Sequence, residues 1–306
     1  MRLLFIATGD IALPAFRHLL EHGPRPLALV TQPDKPVGRH QTLTPPAIKT
    51  EALAAGIPVH QPERTGDAAE TLAALDPEVI VVMAYGQILR KDILTLASKA
   101  IINLHASLLP KYRGAACIQA AIDAGEAETG ITSLHVIREL DAGDVILARR
   151  IPIAKGETGG SLHDRLADLA AEVLAETLTK ISDGSAPRTP QDPALASYVP
   201  KLERDDGRID WTQPASALER RIRAYDPWPG TFTTAIEGGK ERRLKILPPT
   251  SVAAAGPDCG RISSGDGRLI VGCGDGALEI HCVQPEGGKR MSAADYLRGR
   301  KPEAFR

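Results

Sequence analysis

Short apolar runs separated by amphipathic stretches dominate the first two-thirds of the chain. Residues 2–7 form a continuous run of strand length, and residues 27–31, 79–84 and 100–104 repeat it. Apolar runs this short, bounded by glycine, proline or polar residues, predict strands buried on both faces. Between them, apolar positions recur at helical spacing over 13–21, ending near Gly23-Pro24, and over 47–55, stopping at Gly56. Residues 131–137 and 145–151 read as a further pair of strands, and 158–181 as a long amphipathic helix. Strands alternating with helices predict an α/β domain built on a Rossmann-like, mostly parallel sheet.

The pattern then changes. Pro187, Pro190, Pro193 and Pro200, with small and polar residues between them, predict a linker. Beyond it a helical pattern over 215–224 is followed by short alternating segments at 231–236, 243–246, 269–273 and 277–283, split by glycine-rich turns. Short strands at close spacing predict a small β-barrel of the OB type. The expected organisation is therefore a first domain over 1–183, a linker over 184–204 and an OB-like domain over 205–306.

Composition narrows the function classes. The 306 residues suffice for two domains, and 43% hydrophobic with 25% charged residues is ordinary for a soluble protein. Aromatic residues make up 4%, so base stacking on single strands is not expected to dominate. No run approaches the ~20 apolar residues that span a bilayer, and the opening run is too short for a signal peptide, so a cytoplasmic protein is expected. Cys117, Cys259, Cys273 and Cys282 form no C-x-x-C pair, so neither a zinc site nor a disulfide framework is expected. Net charge is −1, while 18 basic against 15 acidic residues from Lys201 onward leave the C-terminal part slightly positive. That asymmetry is too small to imply a nucleic-acid partner.

Candidate chemistry concentrates at the end of the strand over 100–104. Side chains alternate along a strand, so Asn103 and His105 share one face. An amide can donate to a developing oxyanion, and an imidazole with a reference pKa of ~6.5 can take a proton from an attacking amine. A carboxylate can fix the imidazole tautomer. Asp141 and Asp144 compete for that role; the turn allowed by Gly143 favours Asp144. The remaining histidines have no comparable neighbours. There is no G-x-G-x-x-G, no phosphate-binding G-x-x-x-x-G-K-[ST] and no G-x-S-x-G, so neither a dinucleotide nor covalent catalysis is indicated.

Asn103-x-His105, Ser107-Leu108-Leu109-Pro110-x-x-Arg113-Gly114 and Asp141-x-Gly143-Asp144 together resemble the folate-dependent formyltransferases. Residues 32–39 with 44–49, 207–211 with 222–230, and 284–291 resemble the branch of that family that acts on tRNA. Cys117 stands where the family pattern leads one to expect proline. The resemblance implies 10-formyltetrahydrofolate as donor and the α-amino group of methionine on initiator tRNA as acceptor, without a metal. It assigns the oxyanion to Asn103, proton transfer to His105 and the orienting carboxylate to Asp144. Folate contacts are implied for Ser107, Leu108, Leu109 and Pro110, with Tyr85, Gln87, Ile88 and Leu89 forming the wall of the pterin pocket. Lys35, Arg39 and Lys49, in a loop between Asp34 and Lys49, and Lys201, Arg204, Arg208, Lys289 and Arg290 are implied as tRNA contacts. A tRNA-sized acceptor needs open surface on both domains, so a monomer is expected. The rival within the family is formylation of a sugar-nucleotide amine with the same donor.

Overall fold

The computed structural model describes residues 1–306 except Arg39 and Ala254. The chain forms two compact units. One comprises 1–117, 129–151 and 163–199, the other 118–128, 152–162 and 200–306.

The first unit is built on a seven-stranded sheet in the order Val145–Pro152, Glu128–His135, Ala100–His105, Val79–Met83, Leu3–Ala7, Ala28–Val30, Val59–His60. Leu3–Ala7 pairs in parallel with both neighbours, and Val79–Met83 pairs in parallel with Ala100–His105. Only beyond that does the sheet turn antiparallel, where Ile102–His105 meets Thr132–His135. The mostly parallel sheet expected from the apolar runs is therefore present. Leu3, Leu4, Phe5 and Ile6 are fully buried in the interior strand Leu3–Ala7, each contributing about 1.5–3 kcal/mol of burial. The chain first fills one side of that strand and then the other, so the switch in strand order falls between Leu3–Ala7 and Val79–Met83. Ligands of open α/β sheets bind beyond the carboxyl ends of the strands near such a point. Here Gly9 N–H donates to Ala84 O at 3.0 Å, and His105 ends the next parallel strand on the same edge.

Two stretches of this first unit differ from what the sequence predicts. The loop between Asp34 and Lys49 contains an antiparallel hairpin, Lys35–Val37 against Thr42–Thr44, with every strand residue exposed. The proline-bearing stretch after the long helix Gly159–Ser182 is tied into the first unit. Val145 and Thr189 exchange backbone hydrogen bonds, and Tyr198–Val199 pairs in parallel with Arg113–Gly114. Prolines cannot donate to a ladder, but these pairings use the residues between them.

The second unit is a nearly closed antiparallel barrel in the order Ile262–Ser263, Leu269–Gly272, Ala277–Pro285, Lys240–Ala253, Thr231–Glu237, Pro302–Phe305. An Arg261–Ala304 bridge and the Phe305 N–H bond to Gly260 O at 2.9 Å join its two edges. The helix Ala215–Ala224 buries Ala215, Leu218 and Ile222 in a core with Trp211, Tyr296 and Phe305. Trp211 Nε1 donates to Thr233 Oγ1 at 2.9 Å, so the buried indole keeps a partner. Lys240–Ala253 is far longer than the expected strand at 243–246. Pro248-Pro249 interrupts its alternating pattern, and its register with the next strand shifts between Leu247 and Thr250. Among the described residues, no helix is long and apolar enough to cross a membrane.

Candidate active site

The strand Ala100–His105 ends with Asn103 half-buried and His105 buried, and period-two alternation puts the two on one face. Residues 108–112 then turn back beneath the ring. Leu109 N–H donates to Thr132 Oγ1 at 3.2 Å, Thr132 Oγ1 donates to Ser107 O at 2.7 Å, and Ser107 Oγ donates to Lys111 O at 2.7 Å. This return brings the Tyr112 carbonyl to 2.9 Å from His105 Nε2. A carbonyl only accepts, so Nε2 carries a proton.

The other ring nitrogen faces a carboxylate, and it belongs to Asp141. His105 Nδ1 lies 3.6 Å from Asp141 Oδ2, with both side chains at most 10% exposed. Asn103 Nδ2 donates to Asp141 Oδ1 at 3.3 Å, and Gly114 N–H donates to Asp141 Oδ2 at 2.9 Å. The structure thus corrects the expectation for Asp144. Its carboxylate is 3.8 Å from Arg188 Nη1, and its carbonyl accepts from His135 N–H. The reason lies in the turn. Asp141 itself adopts a left-handed backbone with φ 50°, which swings its side chain to the strand end. Gly143 has no such φ; it is needed because a Cβ there would collide with the His135 carbonyl oxygen.

With both ring nitrogens facing oxygen acceptors, the charged imidazolium is favoured. Burial opposes the charge most strongly, but the Cys117 thiol, the Asp141 carboxylate and the Tyr112 carbonyl outweigh it and push the His105 pKa up to about 9. A ring biased toward its charged form is a weaker proton acceptor than a neutral imidazole. Its charge can stabilise a developing oxyanion beside Asn103, while the Asp141 carboxylate, whose oxygens each have a second lone pair, can still accept a proton.

The residues expected at the folate site lie near the carboxyl edge of the sheet with different exposures. Ser107 is fully buried; Leu108, Leu109 and Pro110 are partly exposed. The Tyr85 side chain turns into the core, where its hydroxyl meets Thr65 Oγ1 at 3.3 Å, and its carbonyl accepts from Gln32 Nε2 at 2.5 Å. Gln87 is engaged by Thr65 N–H and Oγ1 at 3.1 and 3.0 Å. Leu89 packs partly against the core, whereas Ile88 is 84% exposed.

The expected tRNA contacts are scattered. Lys35 is exposed and bonds Gln32; Arg39 lies outside the described residues. Lys49 is bound by both oxygens of Asp34 at 2.8 Å and anchors the base of the hairpin. In the second unit Lys201, Arg204, Arg208 and Lys289 are exposed, and Arg290 donates to Pro248 O and Cys282 Sγ at 2.9 Å. Sequence reading missed Arg243, which stacks on the Phe232 ring at 3.4 Å. Burial first, and then Arg204 and Arg208, hold its guanidinium below its ordinary value against the opposing pull of Asp205 and Glu286. Nothing in a strand pattern marks an arginine for such a cluster.

Sequence comparison agrees with this architecture. The formyl transferase family profile matches residues 1–178, and that of the formyl transferase C-terminal domain matches 201–301. A methionyl-tRNA formyltransferase of Akkermansia muciniphila is 51% identical, covering 98% of this chain and 96% of its own. One from Moorella thermoacetica is 43% identical over the same shares. Among solved structures, an N-formyltransferase from Helicobacter canadensis, crystallised with folinic acid and dTDP-3-aminofucose, superposes with a TM-score of 0.68 at 17% identity. That match covers 95% of this chain and all of the other. HypX from Aquifex aeolicus, in complex with tetrahydrofolic acid, gives 0.64 at 20% identity, covering 97% of this chain and 47% of that longer one. At these identities the two structures share the fold.

Proposed function

We propose a reaction from the premise that this chain belongs to the formyl transferase family: it moves the formyl group of 10-formyltetrahydrofolate onto the α-amino group of methionine carried by initiator tRNA. The observation that carries the reading is the Asn103–His105–Asp141 cluster in a chain whose methionyl-tRNA formyltransferase relatives run nearly its whole length. The neutral amine attacks the formyl carbon, and the carbonyl electrons move onto oxygen. The Asn103 amide and the His105 imidazolium stabilise that oxyanion. The attacking nitrogen gives up one proton to Asp141; as the oxyanion electrons return to re-form the carbonyl and the C–N10 bond breaks, that proton passes from Asp141 to N10 of the donor, which restores the carboxylate. No acyl-enzyme forms. Holding two substrates in register contributes up to about 7–11 kcal/mol in ideal cases.

In this reading the folate lies along Ser107–Pro110 and the main chain of 85–89. The tRNA meets Lys35, Arg39, Lys201, Arg204, Arg208, Lys289 and Arg290, with residues 1–183 catalytic, 184–204 connecting and 205–306 binding tRNA. It acts as a monomer in the cytoplasm, where charged initiator tRNA is used. The test is formyl transfer from 10-formyltetrahydrofolate to methionyl initiator tRNA, with uncharged tRNA as control. Transfer only to the charged tRNA is the expected result; transfer to a sugar-nucleotide amine instead would overturn the acceptor and keep the chemistry.

A further inference from the structure

Two residues next to the candidate site, Tyr112 at φ 59° and Asp141 at φ 50°, sit in the left-handed region, which side chains with a Cβ rarely adopt. They supply both partners of the His105 ring, the Tyr112 carbonyl and the Asp141 carboxylate. Each is held by the stretch 187–199, which the sequence presents as a connector. Ser197 Oγ accepts from Tyr112 N–H at 2.8 Å. Gln191 Nε2 donates to Asp141 O and Gly143 O, both at 2.8 Å, closing the turn that carries the carboxylate. Gln191 Oε1 accepts from Arg113 Nη2 at 2.7 Å and Nε at 3.2 Å.

The amide of Gln191 is saturated, with both N–H bonds on carbonyls and both lone pairs on a guanidinium. Carbonyls cannot donate and arginine cannot accept, so its orientation is fixed by its partners. Arg113 is itself 5% exposed and donates through Nη1 to the Tyr198 hydroxyl at 2.9 Å.

We propose that Gln191, clamped by Arg113, is a positioning residue for this reaction: it holds the main chain of Asp141 in its left-handed turn and so keeps the carboxylate on His105 and Asn103. The segment 187–199 is then part of the catalytic apparatus. The proposal rests on the formyl-transfer reading for its kinetic consequence, but its geometric consequence is independent of any substrate.

The test compares the full-length wild type with Gln191→Met, which keeps the length and removes all four hydrogen bonds, and with Gln191→Asn, which keeps the amide but is one methylene too short to reach both carbonyls. The first readout is titration of the His105 ring by NMR in the unliganded protein. The ionisable groups facing that ring, Asp141 and Cys117, are untouched in both variants. As Asp141 drifts from the ring, the His105 titration should move down in Gln191→Met and by less in Gln191→Asn. With substrates, kcat should fall about 10- to 100-fold with both KM values unchanged. A purely structural role predicts a lower melting temperature with an unshifted titration, and that result, or wild-type kcat, overturns the proposal. Should Gln191→Met not fold, the titration of Gln191→Asn decides alone. If the wild type transfers no formyl group, the substrate reading fails while the titration still judges the positioning role.

Discussion

His105 meets the Tyr112 carbonyl at Nε2 and lies 3.6 Å from the Asp141 carboxylate at Nδ1, surroundings that favour the protonated ring, and this one residue sets the pH behaviour of the site. Its folded pKa of about 9 lies above the ordinary value. The stabilisation it gives is therefore complete below an unfolded pKa of ~6.5 and is lost as pH rises through about 9. Denaturant titrations between pH 6 and 10 should show stability falling over that window, and His105→Gln should remove the fall. Asp141 and Asp144 separate at the same scale. Asp141→Asn leaves a site with an oxyanion hole but no carboxylate to accept the proton, and kcat for formyl transfer should drop about 10²- to 10⁴-fold. Asp144→Asn breaks only a half-exposed 3.8 Å pair with Arg188, and kcat should change by about fivefold at most. Rates for the two variants in the same assay decide between the carboxylates. That Asn103 and His105 share one face is legible in the sequence because strand alternation is a local rule. Which aspartate joins them was not: the backbone angle of Asp141 and the packing of Gly143 on the His135 carbonyl are set by tertiary contacts.

At the scale of elements, the site is made by two turns and by the segment 187–199, a strap that holds both through Ser197 and Gln191. The apolar runs announced the strands correctly, since burial on both faces leaves a signal in composition as well as spacing. The strap left none, because three prolines within seven residues look alike in a free connector and in one whose intervening residues pair. The turn at 141–144 depends on a close backbone approach that only glycine permits. Gly143→Ala should destabilise the protein by about 1–3 kcal/mol through overpacking against the His135 carbonyl. Because the same displacement carries Asp141, kcat should fall in the fraction that remains folded. Melting temperature and active-site-normalised kcat, measured together, test both halves; a stable variant with wild-type kcat would show that the turn can relax without moving the carboxylate.

At the scale of the whole molecule, a slightly negative net charge of −1 has to be reconciled with a polyanionic acceptor. The basic residues that serve this purpose must be those whose charge is not already matched within the protein. Lys49 is matched, as both Asp34 oxygens hold its ammonium at 2.8 Å. Lys289 and Arg208 stand exposed, and Arg208 adds its charge to the Arg204–Arg243 cluster. The KM for methionyl initiator tRNA should therefore rise steeply with salt, with a log–log slope of about 0.7–0.9 per phosphate contact, while the KM for the folate stays flat. Lys289→Ala and Arg208→Ala should each reduce that slope by about 1. Lys49→Ala should leave it unchanged, because removing a matched charge releases no counterion from the tRNA. A slope that falls equally in all three variants would mean that tRNA displaces Asp34 from Lys49 on binding, and the hairpin at 35–44 would then be a contact remade by the substrate.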